Sequence, residues 1–201
     1  MTLQDIRGNE HAKRAIEVAL VNDLSITFVG DKDLSILFAN TLFEMKHSNV
    51  RCQRLCLCGN YASTKLCVCP PNEINYLRMT QNYQEAVSAH IVSQVVCPTF
   101  EQVVSKRLPE SDNTILTRVL NARQRYKKYS VYDLDDICLK LLKAFSKEYN
   151  GINQLQIEKI METASAITAL NNKFGNDHAI QPADLAEALQ YSGVQYLGYF
   201  E

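Results

Sequence analysis

The sequence predicts an α/β protein in which a small parallel sheet precedes a helical region. A buried-strand pattern occupies residues 24–29 and continues through Gly30 into a helical pattern at 34–45. A second β-branched run occupies residues 91–96. From residue 111 onwards, apolar residues recur with helical spacing. These observations favour a strand-containing first part and an all-helical second part.

Composition and charge restrict the class of protein. The chain has 201 residues, of which 46% are hydrophobic, and a formal net charge of −1. This length suits one domain plus a small second one, and the near-neutral charge gives no general attraction to nucleic acid. No apolar run approaches the ~20 residues of a membrane helix, so we expect no membrane partner. The first residues lack the features of a signal peptide, which predicts a cytoplasmic location.

The strand–glycine–helix unit has the layout of a P-loop. A working P-loop binds phosphate through glycine backbone groups, a lysine, and a serine or threonine. Aspartate and serine replace the further glycines here, and two apolar residues replace the lysine and the hydroxyl. The sequence therefore predicts a degenerate remnant that binds no ATP, formed by Gly30, Asp31, Lys32, Asp33, Leu34, Ser35, Ile36 and Leu37.

Two positions in this remnant carry specific expectations. Lys32 is expected to precede the helix and therefore not to replace the missing phosphate-binding lysine. Ile36 and Leu37 are expected to pack inward and fill the space that a ligand would occupy.

The remaining elements follow in chain order. Apolar residues at helical spacing predict an amphipathic helix over 10–20, and residues 50–55 are a third strand candidate. Residues 99–109 are expected to form a connector. Two later helices are predicted over 111–128 and 134–145. A third is predicted to begin at Asn153, where Gln156 completes a capping box, and a fourth at Pro182, a first-turn proline. Residues 130–133 are expected to cap the helix over 134–145.

Four of the seven cysteines form a CxC-x8-CxC pattern, namely Cys56, Cys58, Cys67 and Cys69. Four thiolates suit a tetrahedral zinc ion, which would hold together a loop with little other means of folding. The alternatives are four reduced thiols or disulfides formed on oxidation. An odd number of cysteines argues against a disulfide framework, so the pattern predicts zinc, with Cys52, Cys97 and Cys138 outside the site.

The sequence predicts no catalytic residues. The four histidines, which are scattered along the chain, have no supporting serine and acidic neighbours in the sequence, and each is expected to be a solvated or core residue. They are His11, His47, His90 and His178.

Three segments resemble one known family. Residues 5–17 resemble the opening of the AAA+ module in magnesium-chelatase-like ATPases, specifically the bacterial ComM (YifB) branch, where this segment leads into the P-loop strand. The cysteine loop at 56–69 and the final helix at 180–191 resemble parts of the same family. The resemblance covers nearly the whole chain, with a large internal gap.

The resemblance implies a reduced AAA+ core. The family's sheet has the strand order 5-1-4-3-2, and this chain lacks the stretch that would hold strands 2 and 3, which leaves a three-stranded parallel sheet of order 5-1-4. The implied division is a truncated core at 1–109 and a helical lid at 110–201. The Walker B acidic pair is absent, Arg54 lies near the sensor-1 position, and Glu162 and Ser165 stand at the two candidate sensor-2 positions.

Three functions are compatible with these patterns. The leading hypothesis is a non-catalytic AAA+-derived binding module, an adaptor or regulator acting through protein contacts, with a full-length AAA+ relative as one possible partner. The second is an ATP-binding motor or accessory subunit acting on DNA, as the resemblance implies. The third is a small zinc-stabilised nucleic-acid-binding module that uses the basic residues Lys106, Arg107, Arg123, Arg125, Lys127 and Lys128.

Overall fold

The computed structural model describes residues 2–60, 66–105, 110–128, 134–171 and 180–196. The strands in these ranges are β1 (Ile26–Gly30), β2 (Val50–Gln53) and β3 (Ile91–Val95). The helices are α1 (Glu10–Val21), α2 (Lys32–Glu44), α3 (Pro71–Met79), α4 (Gln81–Val87), α5 (Phe100–Val104), α6 (Asp112–Lys128), α7 (Asp136–Glu148), α8 (Gln154–Asn171) and α9 (Pro182–Tyr191). Within the same ranges, none of the helices has the length and apolar character needed to cross a membrane.

The three strands form one parallel sheet in the order β2-β1-β3. Ile26 of β1 lies opposite Val50 of β2 on one side and Ile91 of β3 on the other. The prediction of three parallel strands with the P-loop-like strand in the centre is therefore confirmed. The equivalence of these strands to AAA+ strands 4, 1 and 5 stays a prediction.

Helices cover both faces of the sheet. Ile26 and Phe28 point into the large hydrophobic core with α1 and α2, and the Phe28 and Phe38 rings stack with centroids 5.4 Å apart. On the opposite face Val29 packs with residues of α4, and the Thr27 hydroxyl donates to the Ala86 carbonyl oxygen at 2.7 Å. Because successive strand side chains point to opposite faces, β1 is enclosed on both sides, and all five of its residues are buried.

The helices after residue 110 pack directly on the sheet-containing part. Both α6 and α8 contact α1, while α9 contacts β3 and α8. One hydrophobic core accordingly includes residues from both parts of the chain. The division into 1–109 and 110–201 itself stays a prediction.

Several helices lie where the sequence reasoning placed none. Helix α5 falls within the predicted connector, and α3 and α4 follow the cysteine loop without a break. Their local signals are present in the sequence. Pro71 begins α3, the Thr80 hydroxyl accepts from the Tyr83 N–H, and Thr99 with Gln102 forms a capping box at the start of α5. Helices α3 and α5 bury no side chain, so their apolar periodicity is weak and capping is the main signal.

The capping predictions further along the chain have mixed outcomes. Asn153 and Gln156 form the predicted box, with reciprocal hydrogen bonds of 2.8 and 2.9 Å. Helix α7 is instead capped by Asp135, whose carboxylate accepts from the Cys138 N–H at 2.7 Å. The predicted cap at 130–133 lies outside the described residues.

Candidate metal centre and phosphate-site remnant

Gly30 ends β1 in a conformation that leaves no room for a side chain. Its φ is +118°, and an added Cβ would lie 2.3 Å from the Val95 carbonyl oxygen. The next residue, Asp31, donates its N–H to that same oxygen at 2.9 Å. The chain thus stays bonded to β3 until α2 begins, and no phosphate-binding loop separates the strand from the helix.

The side chain of Asp31 occupies the N-terminus of α2. Its Oδ1 accepts from the N–H groups of Asp33 and Leu34 at 3.1 and 3.0 Å. These free N–H groups at a helix start are the ones that bind phosphate in a working P-loop. Here the protein's own carboxylate satisfies them and places a negative charge where the ligand's charge would be.

Two detailed expectations for this segment are wrong. Lys32 is the first residue of α2, not a residue ahead of it, because the helix begins directly after Asp31. Ile36 is 42% exposed, because the buried positions of a helix that starts at Lys32 are Ser35, Phe38 and Leu42. The expected inward packing holds for Leu37, which is partly buried against the core.

The four patterned cysteines come together in space. Their Sγ atoms all lie within 4.8 Å of one another. The Cys56 and Cys58 sulfurs are 3.4 Å apart, and the Cys58 and Cys67 sulfurs are 3.7 Å apart. A tetrahedral zinc with Zn–S bonds of ~2.3 Å separates its sulfurs by ~3.8 Å. The cluster therefore has dimensions that could accommodate a metal ion.

Local structure explains how the first pair of cysteines converges. Leu55 is buried with Val29, Tyr83 and Val87, which fixes the start of the loop on the sheet. Gly59, at φ +77°, donates its N–H to the Cys56 carbonyl oxygen at 3.3 Å and closes a tight turn. The turn directs the two thiols of the pair to the same side. Residues 61–65 of the loop lie outside the described part of the chain.

The electrostatics of the cluster favour a bound cation. A hydrogen bond to the Asn60 backbone, with help from the neighbouring thiols, lowers the pKa of Cys58 to about 6. The backbone N–H of Cys58 in turn donates to the Cys69 Sγ at 3.2 Å. The pKa of Cys69 is nevertheless raised, and the charge of Cys58 contributes to that rise. One thiolate forms readily, and further ionisation meets repulsion that a divalent cation would relieve.

The other three cysteines are not part of this cluster. Cys138 is fully buried and its Sγ donates to the Ile180 carbonyl oxygen at 3.4 Å, while the Cys52 Sγ donates to the Ser35 carbonyl oxygen at 3.3 Å. Cys97 is exposed. Among the residues that the structure describes, the four-cysteine cluster is the one group with several metal-ligating side chains close enough to share an ion.

Two of the three arginines of the predicted basic surface, Arg123 and Arg125, bond to neighbouring helices. The Arg123 Nε donates to the Leu20 carbonyl oxygen in the last turn of α1 at 2.7 Å, and the Arg125 Nε donates to the Ala169 carbonyl oxygen near the end of α8 at 2.9 Å. Cations are favoured at these helix C-termini. Lys106, Arg107 and the side chains of Lys127 and Lys128 lie outside the described residues.

The histidines have more structured surroundings than their sequence positions suggest. His47 is buried with its Nδ1 2.8 Å from Asp23 Oδ1, and His11 is exposed and stacks on the Tyr191 ring. His178 lies outside the described residues. His90 departs from expectation, because it bonds at once to a serine and to Glu162, one of the two candidate sensor-2 positions.

No family model and no curated protein matches this chain. The family resemblance therefore depends on the sequence motifs alone.

Proposed function

We propose that this protein is a pseudo-ATPase, a binding module on a P-loop-type α/β scaffold that is non-catalytic toward ATP and is derived from the magnesium-chelatase-like AAA+ family. It acts as an adaptor or regulator through protein contacts. The observation that carries the proposal is the Asp31 carboxylate, which caps α2 at the position where a nucleotide phosphate would bind.

Electrostatics argue against nucleotide binding at this position. Two like charges ~4 Å apart near a protein surface repel by about 4 kcal/mol. To bind here, the phosphates of ATP would have to displace the Asp31 side chain from the helix N–H groups and would still lie near its negative charge. A second carboxylate, that of Asp33, lies in the first turn of the same helix. The ATP-driven alternative would require a cation and a magnesium ligand where these acidic and apolar residues stand.

Apolar side chains around the cysteine cluster support a role in protein contact. Leu57, Leu66 and Val68 lie beside the cysteines and are 48%, 84% and 75% exposed. The following helix α3 has no buried residue, and its Tyr76 and Met79 are 72% and 60% exposed. A metal-held loop that presents apolar side chains to solvent is a typical feature of a docking surface.

Nucleotide binding is tested by isothermal titration with Mg-ATP. We expect no affinity tighter than roughly millimolar, which corresponds to about 4 kcal/mol. The Asp31→Asn variant retains a side-chain oxygen that can cap the helix and removes the charge, so weak binding that appears only in this variant would identify the carboxylate as the barrier. Micromolar binding by the unmodified protein would contradict the proposal and favour the ATP-driven alternative.

Partner binding is tested by affinity capture from source cells with and without ATP. We expect a protein partner that is retained equally under both conditions and is lost with the double variant Leu66→Ser/Val68→Ser. The matched control is Phe100→Ser/Val103→Ser on α5, which removes side chains of similar exposure far along the chain. A partner lost equally in both variants would argue against the cysteine-loop surface.

A further inference from the structure

A serine, a histidine and a glutamate meet at the amino-terminal ends of β1 and β3. Asp31 lies at the other end of the strands, after the carboxyl end of β1. Ser25 immediately precedes β1 and His90 immediately precedes β3, while Glu162 belongs to α8. The Ser25 Oγ is 2.7 Å from the His90 Nδ1, and the His90 Nε2 is 2.8 Å from the Glu162 Oε2. The imidazole thus connects a hydroxyl to a carboxylate through its two ring nitrogens.

The surrounding hydrogen bonds assign the tautomer of His90. The Ser25 N–H points at the His90 Nδ1 at 3.3 Å, so this nitrogen accepts. The backbone N–H of His90 donates to the Ser25 Oγ at 3.0 Å. The hydroxyl proton of Ser25 is therefore the one donated to the His90 Nδ1. The Nε2 therefore carries the ring proton and donates it to Glu162.

This arrangement supplies a base next to a hydroxyl. Burial lowers the pKa of His90, an effect that outweighs the opposing influence of Glu162, so the imidazole is neutral at pH 7. Its unprotonated nitrogen faces the Ser25 oxygen, and Glu162 fixes the orientation of the ring. A nucleophile bonded to a base that is itself oriented by an acid is the general pattern of nucleophilic catalysis by serine.

Ser25 and His90 line a cavity of about 410 Å³ together with Asn49, Arg51, Glu85 and Lys159. The Arg51 guanidinium pairs with the Glu85 carboxylate at 3.7 Å, while Asn49 and Lys159 carry N–H donors suited to a developing oxyanion. Lys159 is held at the cavity wall by a hydrogen bond from its Nζ to the Ser88 carbonyl oxygen.

We propose that Ser25, His90 and Glu162 form a nucleophile site that hydrolyses small carboxylic esters. The Ser25 Oγ attacks the ester carbonyl carbon while its proton passes to the His90 Nδ1. The carbon–oxygen bond to the alcohol breaks and the alcohol leaves with that proton. Water then attacks the acyl-serine, again giving a proton to His90, and the carboxylic acid is released with Ser25 restored. Glu162 is a positioning residue, since it acts through the imidazole.

The first test is covalent labelling of the full chain with an alkyl fluorophosphonate, in which a bond from Oγ to phosphorus replaces the phosphorus–fluorine bond. We expect modification of Ser25 and loss of labelling in Ser25→Ala and His90→Gln. The matched control is Ser192→Ala, which removes a serine hydroxyl from a neighbouring cavity that His90 also lines and should leave labelling unchanged. Thermal unfolding of each variant shows whether it is folded. Absence of label on Ser25 in the folded wild-type protein would overturn the proposal.

The second test is turnover of p-nitrophenyl acetate. We expect a rate that rises with pH as His90 loses its proton, and a decrease of roughly tenfold or more in Glu162→Gln at unchanged KM. The alternative is that the His90–Glu162 contact only stabilises the packing of α8 on the sheet. A purely structural contact predicts that Glu162→Gln lowers thermal stability while the wild-type protein shows neither labelling of Ser25 nor turnover. That outcome overturns the proposal.

Discussion

Gly30 is the residue where backbone conformation most strictly limits the sequence. Its φ of +118° disfavours any side chain, and a Cβ would lie 2.3 Å from the Val95 carbonyl oxygen, which is a fixed backbone atom. The Gly30→Ala variant should therefore lose roughly 3 kcal/mol of unfolding free energy. Urea denaturation followed by circular dichroism measures the change.

Gly151 provides the matched control for this substitution. Its φ is +103°, but an added Cβ there would meet no atom within 4 Å. Gly151→Ala should cost only the backbone strain, roughly 1 kcal/mol. Equal losses for the two variants would show that the contact with Val95 contributes nothing.

At the scale of elements, Glu17 is the main polar connection between α1 and α6. Its carboxylate accepts from the Arg118 guanidinium at 2.7 and 2.9 Å, and its side chain is 8% exposed. Arg118 also binds Glu110. Glu17→Gln should destabilise the protein by roughly 1–3 kcal/mol, because the Arg118 guanidinium loses its buried charged partner and keeps only the more exposed Glu110.

Glu10 is the matched control on the same helix. It forms an ion pair with Lys13 but is 78% exposed. Glu10→Gln should change the unfolding free energy by less than about 0.5 kcal/mol. A similar loss in both variants, measured by urea denaturation, would mean that the connection to α6 has no special weight.

The cysteine cluster makes a separate prediction at this scale. Protein purified without chelator should contain about one equivalent of zinc, and Cys58→Ser should lose most of it. Cys97→Ser is the control, since Cys97 is exposed and outside the cluster. Elemental analysis gives the metal content, and less than about half an equivalent in the wild-type protein would count against the site.

For the whole molecule, three of the described histidines predict a loss of stability in mild acid. Desolvation lowers the pKa of His11, His47 and His90 from 6.5, although the nearby carboxylates of Glu187, Asp23 and Glu162, respectively, act in the opposite direction. Below about pH 6.5 the unfolded chain takes up protons that the folded chain does not. The unfolding free energy therefore decreases as the pH is lowered. Each histidine contributes a slope of up to roughly 1.4 kcal/mol per pH unit.

Urea denaturation between pH 7.5 and 5.5 measures this slope. His47→Gln should flatten it, whatever its effect on absolute stability, because the variant lacks one of the titrating histidines. Carboxylates with lowered pKa values, such as those of Glu110 and Asp135, lose their contribution only at lower pH and do not interfere. A slope that is unchanged in His47→Gln would contradict the role given to burial.

Short-range pattern determined much of the fold. The β-branched runs predicted β1 and β3, helical spacing predicted α1 and the helices after residue 110, and the CxC pairs predicted the four-cysteine cluster. The parallel order with β1 in the centre followed from a family resemblance. Weakly amphipathic helices such as α3 and α5 were missed, because they bury almost nothing and leave little periodic signal.

Only the tertiary structure decided where the polar groups end up. The missing phosphate-binding residues after β1 are visible in the sequence, but the cap formed by Asp31 depends on α2 starting directly after that residue. Ser25 and His90 are 65 residues apart, and His90 and Glu162 are 72 apart. No local pattern records such pairs, because they arise when parallel pairing brings two strand starts together and α8 packs across them.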